Sequence, residues 1–137
     1  MKTTIATALA SGEATDAAAE LTKQVRAKLG NSEVRLLVAF ASTMQPLGQL
    51  VERLASSFPG TTLIASSTAG EFTERGDAKG SVSLFALAGD YRVYAGMGVG
   101  LKKDSEQALT RAIEGLPREL NGYPHRTGLL LLDPRLR

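Results

Sequence analysis

Apolar positions along the chain follow two periods, and these divide it into alternating elements. Ile5 to Leu9 reads as a first strand, followed by a Ser11-Gly12 loop. Ala14, Ala17, Ala18, Leu21, Val25 and Leu29 then recur at three- and four-residue steps, predicting a helix with one buried face. Thr15 or Asp16 is placed to cap it, and Gly30-Asn31 to stop it. Val34 to Ala41 is apolar except at Arg35, as in a strand covered on both faces. Pro46 opens a second helix with the stripe Leu47, Leu50, Val51, Leu54 and Phe58. Pro59-Gly60 ends it, and Thr61 to Ala65 forms the next strand. The order β-α-β-α-β favours a parallel core with right-handed crossovers.

Beyond Ser66 to Phe72 the pattern changes. Glu74 to Lys79 reads as a polar loop, and Ser81–Ala88 and Arg92–Val99 as strands around the Gly89-Asp90 turn. So short a turn joins antiparallel neighbours. Asp104 is placed to cap a third helix, with Gln107 in capping-box position and an inner face of Ala108, Leu109, Ala112, Ile113 and Leu116. Pro117 to Arg126 is a loop, and Thr127 to Leu132 a last buried strand ending at Asp133. The expected fold class is α/β in a single domain over residues 1–137. It has a layered β-α-β-α-β start with a mixed sheet, an antiparallel strand pair at about 81–99, then a helix and the last strand. A strand as apolar as the last one wants cover on both faces. The chain is therefore expected to be the front part of a longer domain, or to find that cover in a second copy.

Composition narrows the function classes. Apolar residues make up 43% and charged residues 22% of 137, which is ordinary globular usage. A formal charge of +2, seven aromatics and a basic tail of only Pro134 to Arg137 argue against nucleic-acid binding. No stretch has the continuous apolar length of a membrane span, and Met1 to Gly12 reads as a mature strand rather than an export signal. The chain has no cysteine, which excludes disulfides and thiol nucleophiles and is compatible with a cytoplasmic protein.

In open α/β sheets, ligands bind just beyond the carboxyl ends of parallel strands. Two polar clusters occupy that position: Ser42 and Thr43 after the second strand, and Ser67, Thr68, Gly70 and Glu71 after the third. If the strands are neighbours, both clusters open on one edge. Backbone N–H groups around Gly70 and the Ser67 and Thr68 hydroxyls suit an anionic group, and Glu71 an ammonium. Equally, hydroxyls in such turns satisfy local backbone groups. A hydrolase or transferase using Ser67 or Thr68 is the catalytic alternative. Ser67 is not in a G-x-S-x-G elbow, because Ala65 stands two residues before it. The one histidine, His125, lies in a separate loop, and a Ser-His-Asp arrangement with Asp133 is conceivable, since distance in sequence decides nothing. Gly96-Met97-Gly98-Val99-Gly100 lacks the strand-to-helix layout of a phosphate loop, so its glycines are expected to permit a bend or close backbone approach. One histidine, no cysteine and no EF-hand spacing leave no expected metal or other cofactor.

Several of these stretches, in order, resemble the N-terminal part of a FIST domain. They are LASGEATDAAAEL, LLVAFAS, PGTTLIASSTAGEF, SVSLFAL, GVGLKKDSEQAL and LLLLD, of which PGTTLIASSTAGEF is the most specific. Where the family favours a small Gly-Cys or similar pair before Ser67, this chain has Ala65-Ser66. The resemblance implies an intracellular sensory module without catalytic activity. Such a module binds a small metabolite, an amino acid in particular, and passes the signal to a protein partner. The other alternative is a self-associating scaffold, to which the apolar, abruptly ended last strand would contribute.

Overall fold

A computed structural model describes residues 2–74 and 76–132, so Asp133 and the basic tail lie outside the described residues. The chain divides into two compact units, one ending at Val93 and one beginning at Tyr94.

The first unit is a mixed α/β layer structure. Strands β1 (Thr4–Ala10), β2 (Val34–Ser42), β3 (Thr62–Thr68) and, later in the chain, Val82–Ala88 form one sheet. Helices α1 (Ala14–Leu29) and α2 (Leu47–Ser57) connect the first three strands. A small hairpin of β4 (Glu71–Thr73) and β5 (Gly76–Ala78) precedes Val82–Ala88, which is thus β6. The sheet order is β1-β6-β2-β3; β2 and β3 are parallel, and β6 runs antiparallel to both β1 and β2.

The periodicity has a direct physical outcome in α1, whose buried residues are Ala14, Ala17, Ala18, Leu21, Val25 and Leu29. Its N-cap is Glu13, without a side-chain cap bond, rather than Thr15 or Asp16. Gly30 closes the helix at φ 57°, a conformation open to glycine, and its N–H donates to the Arg26 carbonyl. In α2, Leu50 and Leu54 are buried, and Phe58 just beyond it is 2% exposed beneath the Arg26 guanidinium. Both helices cover one sheet face, built of Ala6, Ala8 and Ala10, of Leu37, Ala39 and Ala41, and of Val82, Leu84, Ala86 and Ala88. Small residues on three strands let helix backbones come close, while leucines fill the space between. Each fully buried leucine contributes about 1.5–3 kcal/mol of transfer free energy.

Arg35, the exception in the apolar run, sits where the β2–β6 register shifts between Val34 and Leu36. The extra residue in this bulge allows Val34 and Leu37 both to be buried, while Arg35 pairs with Glu33 at 2.6 Å.

Three expectations are corrected. Glu74 to Lys79 is not simply a loop, because the β4–β5 hairpin takes in most of it. Arg92–Val99 is not a strand; β6 takes its antiparallel partners from β1 and β2 instead. Thr127–Leu132 is also not a strand, and Leu129 to Leu132 are 39% to 65% exposed. A strand requires a neighbour for its backbone groups, and neither segment has a ladder partner among the described residues.

The second unit contains α3 (Ser105–Ile113). Asp104 caps it, accepting from the Gln107 backbone N–H at 2.9 Å. Gly96 and Gly98 lie directly against the α3 backbone, where an added Cβ would come within 1.9 Å and 1.8 Å of the Ala112 and Ala108 carbonyl oxygens. Of the expected inner face only Ala108 is buried, whereas Leu109 and Ile113 are exposed.

Candidate functional site

Parallel pairing of β2 and β3 brings the two polar clusters to one sheet edge. Ser42 and Thr68 are register partners at the carboxyl ends of these strands, and the Thr43 N–H donates to the Thr68 carbonyl at 3.3 Å. Side chains alternate along a strand, so Ser42, Thr68 and Ser83 face away from α1 and α2, on the side opposite Ala41 and Leu84.

Glu71 reaches the same corner from the first residue of β4. It is 3% exposed, and one carboxylate oxygen accepts from the Thr68 hydroxyl. No ion pair reaches it among the described residues. The buried polar residues of the described chain are Ser42, Glu71, Ser81 and Ser83. All four belong to this corner: Ser81 accepts the Ser42 N–H on its carbonyl at 2.9 Å, and Ser83 pairs with Phe40 two residues before Ser42. Polar burial so concentrated is costly unless the groups have partners, which marks the corner as chemically distinct from the alanine-rich core.

The loops around it are tied together by Gln45. Its side-chain amide donates to the Gly12 and Gly80 carbonyls, each at 2.8 Å, linking the β1–α1, β2–α2 and β5–β6 connections. The amide oxygen of Gln45 is buried without a hydrogen-bond partner. The hairpin itself lies against β1, β2 and β6. Its first strand ends near Glu74, which accepts from the Thr7 hydroxyl and faces Lys28 Nζ at 3.8 Å.

The remaining expected site residues are distributed as follows. Ser42 is 8% exposed, and its hydroxyl accepts the Met44 N–H at 3.3 Å, the local turn bond that such residues often make. Thr43, Ser67 and Gly70 are exposed. Gly70 has neither a positive φ nor a neighbour that a Cβ would meet. The unit that contains Ser67 has no histidine, since His125 belongs to the second unit. Among the described residues no cluster of acidic and histidine side chains is arranged to hold a metal ion, and no helix is long and apolar enough to cross a membrane.

Sequence reasoning missed Gln45, Ser81 and Ser83. For Ser83 a signal exists, because a serine shares the period-two face with Phe85 and Leu87. Gln45 has none, since its bonds reach residues 33 and 35 positions away. The second unit has an open concavity of about 470 Å³ near the end of α3, lined by Ile113, Leu116, Arg118 and Arg126 among others. Converging, preorganised polar groups orient a ligand better than an open groove does, so the strand-end corner is the stronger candidate.

The sequence profile of the FIST N domain matches residues 35–136, which includes all but the first residue of β2 and the whole of β3, the hairpin and β6. No curated protein matches the chain.

Proposed function

Since the chain belongs to the FIST family of sensory domains through its N domain, we propose that it binds a small metabolite at the carboxyl ends of β2 and β3 and signals occupancy to a protein partner. The observation that carries this reading is Glu71, a buried carboxylate held by Thr68 in a corner where Ser42, Ser81 and Ser83 are also buried. A carboxylate so placed favours a ligand with an ammonium group, and hydroxyls and backbone N–H groups nearby suit the carboxylate of the same molecule. A free amino acid has both. Ser42, Thr43, Thr68, Gly70 and Glu71 form the ligand set together with Ser67, which strand alternation turns to the opposite sheet face and so to the rim of the strand end, and Gln45 holds the surrounding loops.

The module senses rather than turns over its ligand, and it acts inside the cell. Because Glu71 begins the hairpin, a ligand that engages it acts directly on β4, and the hairpin transmits the change. Thermal-shift and calorimetric screening of amino acids and simple amines against the 137-residue chain tests the reading. At least one amino acid is expected to raise Tm, and Glu71→Gln to remove the effect while the fold is retained. Absence of binding across the panel, or binding unchanged in both Glu71→Gln and Thr68→Val, overturns it.

A further inference from the structure

The two edges of the sheet are treated differently. On β1, the Gln24 side chain occupies the edge: the Leu9 N–H donates to its amide oxygen at 3.2 Å, and its amide nitrogen donates to the Leu9 carbonyl at 3.0 Å. An amide placed in this way mimics a neighbouring strand and obstructs pairing with another chain. Among the described residues the edge of β3 has no such cover. Its seven residues, Thr62-Leu-Ile-Ala-Ser-Ser-Thr68, include no charge and no proline, its pairing with β2 has no register shift, and none of the seven is buried. Charges, prolines and bulges are the devices by which edge strands ordinarily avoid association.

The backbone direction of β3 is fixed by its partner. Thr43 donates to the Thr68 carbonyl, so Thr68, Ser66, Ile64 and Thr62 turn their backbone groups toward β2. Leu63, Ala65 and Ser67 therefore turn theirs outward. The Ser67 carbonyl accepts only from the neighbouring Ser66 hydroxyl, at 3.2 Å, among the hydrogen bonds described.

We propose that β3 is a self-association edge, on which β3 of a second copy of this chain adds antiparallel, in a register centred on Ile64. That register brings outward-facing Leu63 opposite the partner's Ala65, and Thr61 opposite the partner's Ser67, as hydrogen-bonded pairs. Ile64 meets its own copy across the two-fold axis, and Thr62 meets the partner's Ser66. Apolar residues thus face apolar residues and hydroxyls face hydroxyls on both sides of the sheet. Centring on Ala65 instead would set Leu63 against a serine and Ile64 against a serine. The chemistry of the strand selects the first register, and a two-fold axis makes the interface self-complementary and closed. The result is one continuous eight-stranded sheet. Ser67 belongs to both the ligand set and this edge, but the interface depends on the outward backbone groups of β3 and not on Glu71.

Sedimentation of the 137-residue chain over a concentration series, with amide hydrogen exchange at both ends of that series, provides the test. The expected result is a monomer–dimer equilibrium in which the Leu63, Ala65 and Ser67 amides become protected as the dimer forms. Ala65→Pro removes a central outward N–H, and Ile64→Lys places two like charges at the axis. Each is expected to weaken dimerisation at least about tenfold, a loss on the scale of one interface anchor. If Ala65→Pro does not fold, Ile64→Lys and the exchange pattern decide. A monomer at millimolar concentration overturns the proposal. So does a dimer whose Leu63, Ala65 and Ser67 amides exchange freely, or one that a folded Ile64→Lys chain forms with unchanged affinity.

Discussion

At the scale of single residues, Glu71 and Gln45 make the most consequential contacts of the strand-end corner. Thr68→Val removes the hydroxyl that donates to buried Glu71 and puts a methyl in its place. Leaving a buried acceptor without that donor costs about 1–3 kcal/mol, so chemical denaturation of Thr68→Val is expected to show a loss in this range. Gln45→Ala breaks two bonds that hold the Gly12 and Gly80 loops. At about 0.5–1.5 kcal/mol per hydrogen bond, a loss of about 1–3 kcal/mol is expected, with faster amide exchange in both loops. Ser67→Ala removes an exposed hydroxyl and is expected to leave stability unchanged within about 0.5 kcal/mol, which separates its role from that of Thr68.

At the scale of elements, α1 and α3 show how far an amphipathic pattern goes. Both have apolar stripes legible in the sequence, but only the α1 stripe is buried, because a sheet face of small residues lies beneath it. Leu21→Ala, at a site with 0% exposure, is expected to cost about 2–5 kcal/mol through lost transfer energy and a residual cavity. The α3 stripe is largely exposed, so its order depends on local devices: the Asp104 cap and the glycine backbone packed against it. Gly98→Ala drives a Cβ into the Ala108 carbonyl, and since backbone must shift to admit it, overpacking of about 1–3 kcal/mol is expected. Hydrogen exchange of amides 108–112 measures it: accelerated exchange there, with α1 amides unaffected, is the expected outcome.

At the scale of the molecule, the hydrophobic core belongs to one unit. Every member of the core cluster lies between Ala6 and Ala88, and Ala108 is the one buried residue among the described residues of the second unit. A chain ending at Val93 keeps this core whole and is expected to unfold cooperatively, with Tm within a few degrees of that of the 137-residue chain. Calorimetry of the two chains checks this; a fragment without a cooperative transition would show that residues after Val93 are required for the core.

The sequence by itself determined the two helices and the four strands of the main sheet in the first unit, but not the β4–β5 hairpin, because periods of 3.6 and 2 are local and show only where an apolar face runs long enough. It also placed Ser42, Thr43 and the Ser67–Glu71 turn at strand ends. What it left open was pairing. Only the tertiary structure inserted β6 between β1 and β2, set Ser42 in register with Thr68, folded Glu74 back onto β1, and left Arg92–Val99 and Thr127–Leu132 without ladder partners among the described residues. Apolar content indicates that a segment can be buried, but a strand forms only where a neighbour supplies hydrogen bonds, and that neighbour is chosen by contacts distant in sequence. The burial of Glu71 has the same origin: an acidic residue in a polar turn becomes buried only when β4, which it begins, packs against β1, β2 and β6.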